Sequence, residues 1–264
     1  MKYSLSSRQE ATYLKMADEI KVQYRDRRII PELVEKYSQA RINLEFPYVF
    51  DEETPIDWNE IHSYYVLSRT NFIVGVVSTE QIKHCKEKGY PMYHRTHVHS
   101  FQELRDMVNA GMSEVYLGAP VFFCMDSVKR NFPGIKVRAL ANVALPEGSL
   151  SYNDGTCGTW IRPEDVYLYE PYVDTIDFYG NQKEEQALYR IYARMHEWSR
   201  ELRWLVADLN HDAMNRMIPP TLAETRLNCG QRCMENDHCH ICRRLLDLAN
   251  PDLIREVLEA QEQS

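Results

Sequence analysis

Four cysteines stand within a short segment of the sequence, at Cys229, Cys233, Cys239 and Cys242. Their spacing, C-x3-C-x5-C-x2-C, puts a chelating C-x2-C pair beside two further thiols. Thiolates are preferred ligands of zinc and of iron–sulfur clusters, so we predict that this segment binds one of the two. The alternative is a set of ordinary reduced thiols in a helical hairpin.

A fifth thiol, Cys157, lies in the longest irregular stretch of the sequence, residues 144–162. Loops of this length inside a compact domain are usually functional or disordered. If this loop and the cysteine-rich segment meet at one end of the fold, Cys157 supplies one metal ligand; otherwise it is a loop thiol without a ligand role. Cys85 and Cys124 stand in apolar surroundings and are predicted to be core residues.

Polar residues at the ends of predicted strands are a second set of candidates. Carboxylates at such positions act as general acids and bases or hold a metal, and arginines orient anionic substrates. The predicted catalytic residues are Arg25, Glu45, His97, Asn142, Asp177 and Asp208. Each one alone is more often a salt bridge or a cap, so the prediction depends on their convergence. His97 and His99 share one strand face, either as a mononuclear metal site or as hydrogen-bonded histidines.

Units of strand and helix are expected to position these residues. Short β-branched or aromatic runs alternate with amphipathic segments from about residue 19 to residue 210, which is typical of a parallel sheet. The predicted strands are 19–24, 41–46, 71–77, 92–98, 114–117, 136–141, 175–179 and 202–209. Eight strands close a barrel, so we predict an α/β fold of the (β/α)8 TIM-like type with a cysteine-rich C-terminal extension. An open doubly wound sheet is the alternative, but no glycine-rich phosphate fingerprint follows the first predicted strand.

The alternation ceases after Leu209, where a proline-containing linker follows. We therefore predict a barrel over residues 1–211 and a cysteine-rich metal-binding tail over residues 212–264, packed on the barrel. Catalytic groups of such barrels come from the carboxyl ends of the strands. The candidate catalytic residues are accordingly expected at one end of the barrel.

Composition and charge narrow the possible partners. The chain has 264 residues, of which 44% are hydrophobic, and a formal net charge of −8. Nucleic acid is therefore disfavoured as a partner, although Arg243 and Arg244 beside the cysteines keep a zinc-dependent nucleic-acid binder open. No apolar stretch has the length of a signal peptide or a membrane span. We therefore predict a cytoplasmic protein with a small-molecule or nucleobase-like substrate and no membrane partner. In a reducing compartment the seven cysteines are expected to be buried thiols or metal ligands, and their odd number fits that expectation better than disulfides.

Three stretches carry a family resemblance: Ala110–Gly118, the strand and cysteine loop over residues 136–157, and Val173–Gly180 with the helix that follows it. They look like the collagenase-like peptidase family, several members of which resemble iron–sulfur proteins of RNA or ubiquinone hydroxylation. The resemblance covers the middle and C-terminal parts of the chain. It implies a cluster held by Cys157 with some of the four cysteines of the tail, and it carries over no peptidase nucleophile.

Two functions follow from these patterns. The first is a TIM-barrel enzyme, with an iron–sulfur cluster or zinc as cofactor, that modifies a base-like or ring-shaped substrate by a reaction of the hydroxylation type. The second is a non-catalytic binding or assembly protein in which a zinc clasp staples the barrel. The sequence contains no G-x-S-x-G, H-E-x-x-H or P-loop motif, which disfavours the enzyme classes that depend on them.

Overall fold

Eight parallel strands hydrogen-bond in sequence order and close into a barrel. The structure is a computed structural model that describes residues 1–47, 56–69, 71–118, 121–141, 161, 163–178 and 180–194. The strands are β1 (Lys2–Ser6), β2 (Glu19–Gln23), β3 (Arg41–Glu45), β4 (Phe72–Val76), β5 (Met92–Val98), β6 (Glu114–Leu117), β7 (Lys136–Leu140) and β8 (Thr175–Asp177). The predicted (β/α)8 barrel is confirmed.

Helices lie between the strands along the chain and contribute apolar side chains to the core. They are α1 (Ala11–Leu14), α2 (Ile30–Lys36), α3 (Trp58–Leu67), α4 (Thr79–Lys88), α5 (Phe101–Ala110), α6 (Met125–Asn131), α7 (Val166–Tyr169) and α8 (Gln182–Arg194). Short 3-10 helices occupy Tyr24–Ile29, Val121–Cys124 and Pro163–Asp165. Among the helices of the described ranges, none has the length and apolar character needed to cross a membrane.

Capping serines and terminal glycines in the sequence determine where the central helices begin and end. Ser78 caps α4, the side chain of Gln81 completes a capping box, and Gly89 ends the helix with a left-handed φ of 69°. The Ser100 side chain caps α5 by accepting from the backbone N–H of Glu103, and Gly111 ends this helix with a φ of 96°. Because side-chain oxygens satisfy the first N–H groups of a helix and glycine adopts the left-handed conformation without strain, these helices have defined lengths.

The N-terminal strand β1 closes the barrel. It pairs with β2 on one side and, through Lys2↔Thr175 and Tyr3↔Ile176, with β8 on the other. All eight places in the barrel are then filled, so the prediction that residues 202–209 form the eighth strand is wrong; that segment lies outside the described residues. The sequence of β1, KYSLS, is short and only weakly apolar, because its inward position is taken by a serine.

In the described part of the chain, two apolar groups of very different size lie on the two sides of the sheet. The larger is a continuous core that joins the strands to the helices, and it contains the buried Leu5, Ile20, Leu44, Val74 and Cys85. The smaller is a separate cluster of Ile73, Tyr93 and Tyr116. Barrels of this kind are usually filled with branched apolar side chains. The inside of this barrel holds few of them, and polar side chains take their place.

Replacing Leu5 by alanine tests the place of β1 in the core. The side chain of Leu5 is 0% exposed, so Leu5→Ala is expected to lower the free energy of unfolding by about 2–5 kcal/mol. Urea denaturation measures this change. Val66→Ala is the control, because Val66 is 61% exposed and a change within about 0.5 kcal/mol is expected there. Equal effects of the two substitutions would contradict a core position for β1.

Candidate active site

A buried arginine lies at the centre of the barrel interior. Arg138 on β7 is 0% exposed, and its guanidinium donates to Glu114 Oε2 and to Asp177 Oδ2, each at 2.9 Å. It also contacts Glu19 on β2. Since β2 is not a neighbour of β7 in the sheet, the contact with Glu19 must cross the inside of the barrel. Arg138 therefore links strands from opposite sides of the barrel.

A second arginine lies at the amino-terminal end of the interior. Arg41 on β3 donates to Glu19 Oε2 at 2.7 Å and to Glu114 Oε2 at 3.0 Å, and Asn43 donates to Glu19 Oε1 at 2.8 Å. Burial alone would raise the pKa of Glu19. The guanidinium groups of Arg138 and Arg41 outweigh that effect and hold the pKa far below its ordinary value of 4.5. Glu19 is therefore ionised inside the protein.

Two tyrosines connect Arg138 to the carboxyl end of the strands. The Arg138 guanidinium lies 4.5 Å from the centre of the Tyr93 ring and 5.5 Å from that of Tyr116, distances at which a cation is attracted to an aromatic ring. The Tyr93 hydroxyl donates to Glu45 Oε1 at 2.8 Å, and the Tyr116 hydroxyl donates to Asp177 Oδ2 at 2.7 Å. Burial, followed by the charge of the accepting carboxylate, raises the pKa of both phenols well above 10.0. Both tyrosines therefore stay protonated and act as donors.

Glu45 lies at the carboxyl end of β3 and is held by three neighbours. It accepts from Gln23 Nε2 at 2.6 Å and from the Tyr93 hydroxyl, and Arg95 Nη2 lies 3.5 Å from Oε2. Gly75 on the adjacent strand leaves room for this arrangement, because a Cβ there would come within 2.8 Å of the Tyr93 hydroxyl oxygen. The orientation of Glu45 is thus fixed by donors from β2 and β5.

Lys21, two residues after Glu19 on β2, lies between two carboxylates. Its Nζ is 3.2 Å from Glu185 Oε1 on α8 and 3.6 Å from Asp177 Oδ1. Burial would lower the pKa of Lys21, but the charges of Glu185 and Asp177 outweigh it and raise the pKa above its ordinary 10.5. Lys21 is therefore an ammonium ion at neutral pH. In this state it is a cation and donor, and it lacks the free electron pair of an amine nucleophile.

Among the described residues, two buried acceptor atoms near Lys21 have no hydrogen-bond donor. They are Asp177 Oδ1 and Gln9 Oε1. Asp177 accepts from Arg138 through its other oxygen, and Gln9 Nε2 donates to Glu185 Oε2 at 2.5 Å. A buried acceptor without a donor costs about 1–3 kcal/mol, so each of these atoms would be stabilised by a bound group that donates to it.

His97 follows a β-bulge near the end of β5, where the pairing passes from His94↔Val115 to His97↔Tyr116. Its ring centre lies 5.5 Å from that of Tyr116. Burial, and then the neighbouring His99, lower the pKa of His97 to about 4. The imidazole is therefore neutral at pH 7. The rings of His97 and His99 are 6.3 Å apart, and the part of the chain that the structure describes holds no group of three or more His, Cys, Asp or Glu able to bind a metal.

The structure brings together some of the predicted catalytic residues and not others. Glu45 and Asp177 both lie at the carboxyl end of the interior and are linked to Arg138 through Tyr93 and Tyr116. Arg25 does not join them: it belongs to the 3-10 helix after β2, and its side chain is 73% exposed beside Asp26.

The remaining predicted residues fall outside the described ranges. They are the catalytic candidates Asn142 and Asp208 and the metal-ligand candidates Cys157, Cys229, Cys233, Cys239 and Cys242. The metal site, the domain boundary after residue 211 and the cytoplasmic location therefore stay predictions. Cys85 and Cys124, predicted as core residues, are buried.

Lys21, Glu185 and Arg138 are absent from the predicted set, although β2 and β3 carry a signal that could have found the first. Their sequences, EIKVQ and RINLE, alternate polar and apolar residues. One face of a strand in such a barrel packs on helices, so a polar face must look into the interior. Lys21 is the central polar residue of the β2 pattern.

Acid sensitivity is expected from Glu19. A carboxyl whose folded-state pKa is lowered contributes stability above its unfolded pKa, and that contribution is lost as the pH falls towards the folded value. The free energy of unfolding should therefore decrease as the pH falls below the ordinary value of 4.5. Urea denaturation between pH 7 and pH 3 measures the profile. Glu19→Gln should cost about 3–5 kcal/mol at pH 7, because Arg138 and Arg41 lose a counter-charge, and should flatten the acid decrease.

Glu32→Gln is the control for that profile. Glu32 pairs with Lys36 on α2, and both side chains are mostly exposed, so its replacement should leave the acid decrease of the wild type in place. An acid decrease of the same steepness in Glu19→Gln and in the wild type would contradict the role of Glu19.

Comparison with known proteins finds solved structures that are similar to this chain at low sequence identity. No protein-family profile and no curated protein sequence matches it. A glycerol uptake operon antiterminator-related protein from Thermotoga maritima is 12% identical, with a TM-score of 0.41 over 69% of this chain and 96% of that one. KDPG aldolase from Legionella pneumophila is 15% identical, with a TM-score of 0.38 over 67% and 81% of the two chains.

A third similar structure, 2-keto-3-deoxy-6-phospho-gluconate aldolase from Zymomonas mobilis, is 11% identical, with a TM-score of 0.35 over 69% of this chain and 81% of that one. None of the three is a collagenase-like peptidase, and the resemblance to that family stays a prediction. The assignment of the fold depends on the strand pairing of the chain itself, which closes an eight-stranded barrel.

Proposed function

We propose that this chain is a barrel enzyme that binds a small, ring-shaped, base-like molecule at the carboxyl end of its strands and transfers protons to and from it. The observation that carries the proposal is the placement of Lys21, Glu45 and Asp177. They form one electrostatically coupled group at that end, in which both carboxylates help to keep Lys21 charged. Ionisable groups whose protonation is set by buried partners concentrate at functional sites.

Glu45 is the general base in this proposal. Tyr93 and Gln23 fix its two oxygens, and Arg95 lies beside Oε2. Oε1, which accepts from the Tyr93 hydroxyl, has a second lone pair that can take the substrate proton. The base removes a proton from a ring atom next to a carbonyl, and the electron pair of the broken bond moves to the carbonyl oxygen. Glu45 then returns the proton to the ring, so that the carboxylate is regenerated.

Lys21 and Asp177 bind two different groups of the substrate during that step. The ammonium of Lys21 stabilises the negative charge that develops on the carbonyl oxygen, as fixed positive groups do in a site that excludes water. Asp177 Oδ1, which has no donor, accepts an N–H of the ring and orients it. The ring-shaped substrate thereby meets a donor and an acceptor 3.6 Å apart.

A non-catalytic binding protein is the second candidate, and one observation favours it. Arg41, Arg138, Glu19 and Glu114 are all engaged in ion pairs with one another. Such mutual pairing is expected of side chains that only fill the barrel. This candidate predicts binding at the carboxyl end without proton transfer.

Deuterium exchange distinguishes the two candidates. Dihydrouracil and hydantoin, two base-like rings with a C–H next to a carbonyl, are incubated with the protein in heavy water and followed by proton NMR. The enzyme should speed the loss of that C–H signal, and Glu45→Gln should slow the exchange by about a hundredfold or more. Glu32→Gln, an exposed carboxylate on α2, should not slow it.

The possible results separate clearly. Binding of the rings without faster exchange would support the non-catalytic candidate and contradict proton transfer. Exchange that Glu45→Gln does not slow would overturn the role of Glu45. If neither ring binds and neither ring exchanges faster, the proposed function is overturned.

The cofactor is a further part of the proposal: an iron–sulfur cluster or zinc bound by the tail cysteines. A cluster would carry electrons in a hydroxylation of the ring, in which a C–H bond becomes C–OH and an external oxygen-atom donor is reduced. The spacing of Cys229, Cys233, Cys239 and Cys242 supports the cofactor. Metal and sulfide analysis of protein purified without oxygen tests it, with Cys239→Ser and Cys157→Ser for comparison. Iron and sulfide lost in both variants would indicate a cluster that includes Cys157. Zinc lost only in Cys239→Ser would indicate a structural clasp, and absence of both metals would contradict the prediction.

A further inference from the structure

The charges at the carboxyl end of the barrel restrict what can bind there. We define the Lys21 cluster as Lys21, Asp177, Glu185 and Gln9, which are joined by the contacts described above. The side chains of Asp177 and Glu185 are at most 5% exposed, whereas that of Lys21 is 13% exposed. A ligand therefore reaches the cluster on the side where the ammonium lies.

The unsatisfied atoms of the Lys21 cluster are all acceptors. Asp177 is almost fully buried, and its Oδ1 has no hydrogen-bond donor. Gln9 Oε1 is in the same position, and the orientation of that amide is fixed because its Nε2 has two acceptors, Glu185 Oε2 and the backbone oxygen of Gln182. A ligand that donates N–H groups stabilises both atoms, whereas a ligand that brings only acceptor oxygens leaves them without a donor.

The charged groups of the interior add to the same preference. Among the described residues, the connected ion pairs of the interior hold five carboxylates, Glu19, Glu45, Glu114, Asp177 and Glu185, and four cations, Lys21, Arg41, Arg95 and Arg138. Each of the four cations already lies in an ion pair with one or more of these carboxylates. A phosphate or a carboxylate would have to compete with them for the same donors while adding to an excess of negative charge.

From these contacts we infer that the Lys21 cluster selects a neutral or positively charged ligand that donates N–H groups, of the amide, amidine or amino-heterocycle class, and rejects phosphates and carboxylates. The inference depends on the proposed binding site and names its substrate class. An amide or amidine N–H donates to Asp177 Oδ1, which lies beyond hydrogen-bond distance of Lys21 at 3.6 Å. The Lys21 ammonium then donates to the acceptor atom next to that N–H in the ligand.

Three probes of one shape and different charge test this selection. Benzamidine is a cation with N–H donors, benzamide is neutral with N–H donors, and benzoate is an anion without them; inorganic phosphate is the fourth probe. Dissociation constants are measured by ligand-observed NMR at pH 7 with the full chain. Benzamidine and benzamide should bind at least about tenfold more tightly than benzoate, the factor that a hydrogen bond to a charged acceptor provides. Phosphate should not bind.

Variants locate the binding. Asp177→Asn should weaken benzamidine by about tenfold or more, since the amidinium loses the charge of its acceptor, and Glu32→Gln, the same change of group on the surface of α2, should not. Because Asp177 also pairs with Arg138, thermal unfolding shows whether the variant is folded. If it is not folded, Gln9→Met replaces it, since that change removes the second free acceptor and should also weaken benzamidine.

The possible results distinguish a failure of this inference from a failure of the proposed function. Tighter binding of benzoate or phosphate, lost in Lys21→Met, would overturn this inference and leave the proposed binding site in place. Binding of all probes with equal affinity would also overturn it. If no probe binds and the rings of the exchange experiment do not bind either, the inference and the proposed function fail together.

Discussion

The guanidinium of Arg138 is a full charge in a place that water does not reach. Moving such a charge out of water costs several kcal/mol even after the protein relaxes, and only close counter-charges with good hydrogen bonds offset that cost. Glu114 and Asp177 supply these charges from the two adjacent strands, and Glu19 supplies one from across the barrel. The positions of these strands are therefore coupled by ion pairs as well as by backbone hydrogen bonds. A strand that moved away would leave a buried charge without its partner.

This coupling extends to the end of the barrel where the candidate site lies. The rings of Tyr93 and Tyr116 pack against the guanidinium, and their hydroxyls donate to Glu45 and Asp177. The two carboxylates thus accept hydrogen bonds from the phenol groups of Tyr93 and Tyr116, which stay protonated at neutral pH. Because preorganised charges act on a substrate without further rearrangement, the interior network supports the candidate site as well as the stability of the barrel. It holds Glu45 and Asp177 in place in a barrel whose interior has little of the usual apolar filling.

The sequence predicts the outer half of this architecture well and the inner half poorly. Apolar runs and helix caps are local signals, and the predicted strands over Met92–Val98 and Glu114–Leu117 have the observed bounds. Glu45 is predicted because it ends a strand. The sequence does not predict Arg138 and Lys21, because they lie within strands, where a charged residue looks like the solvent-facing side of an amphipathic strand. Only the closed barrel turns that side inward.

Two further differences have local causes. Arg25 follows β2 in the sequence, but the chain turns there into the 3-10 helix Tyr24–Ile29, and the side chain extends into solvent. Glu185 belongs to a helix that follows the last strand. Its contact with Lys21 depends on how α8 docks near β1 and β2, where it also accepts from the backbone N–H of Ser6. Spacing within a single element carries no information on that docking.

The pairing of β1 with β8 also has a kinetic consequence. Lys2 pairs with Thr175 in the sheet although most of the described chain separates them, and contacts between such distant residues form slowly because a long loop must close first. Before β8 pairs with β1, β1 presents an unpaired edge. At that stage Glu19 has the Arg41 guanidinium beside it, but the ion pair between Arg138 and Asp177 has not yet completed the interior. The half-formed barrel therefore keeps its carboxylates and guanidinium groups in water. A hydrated, charged interior disfavours the aggregation of incompletely folded chains, whereas an exposed apolar interior of the usual kind would favour it.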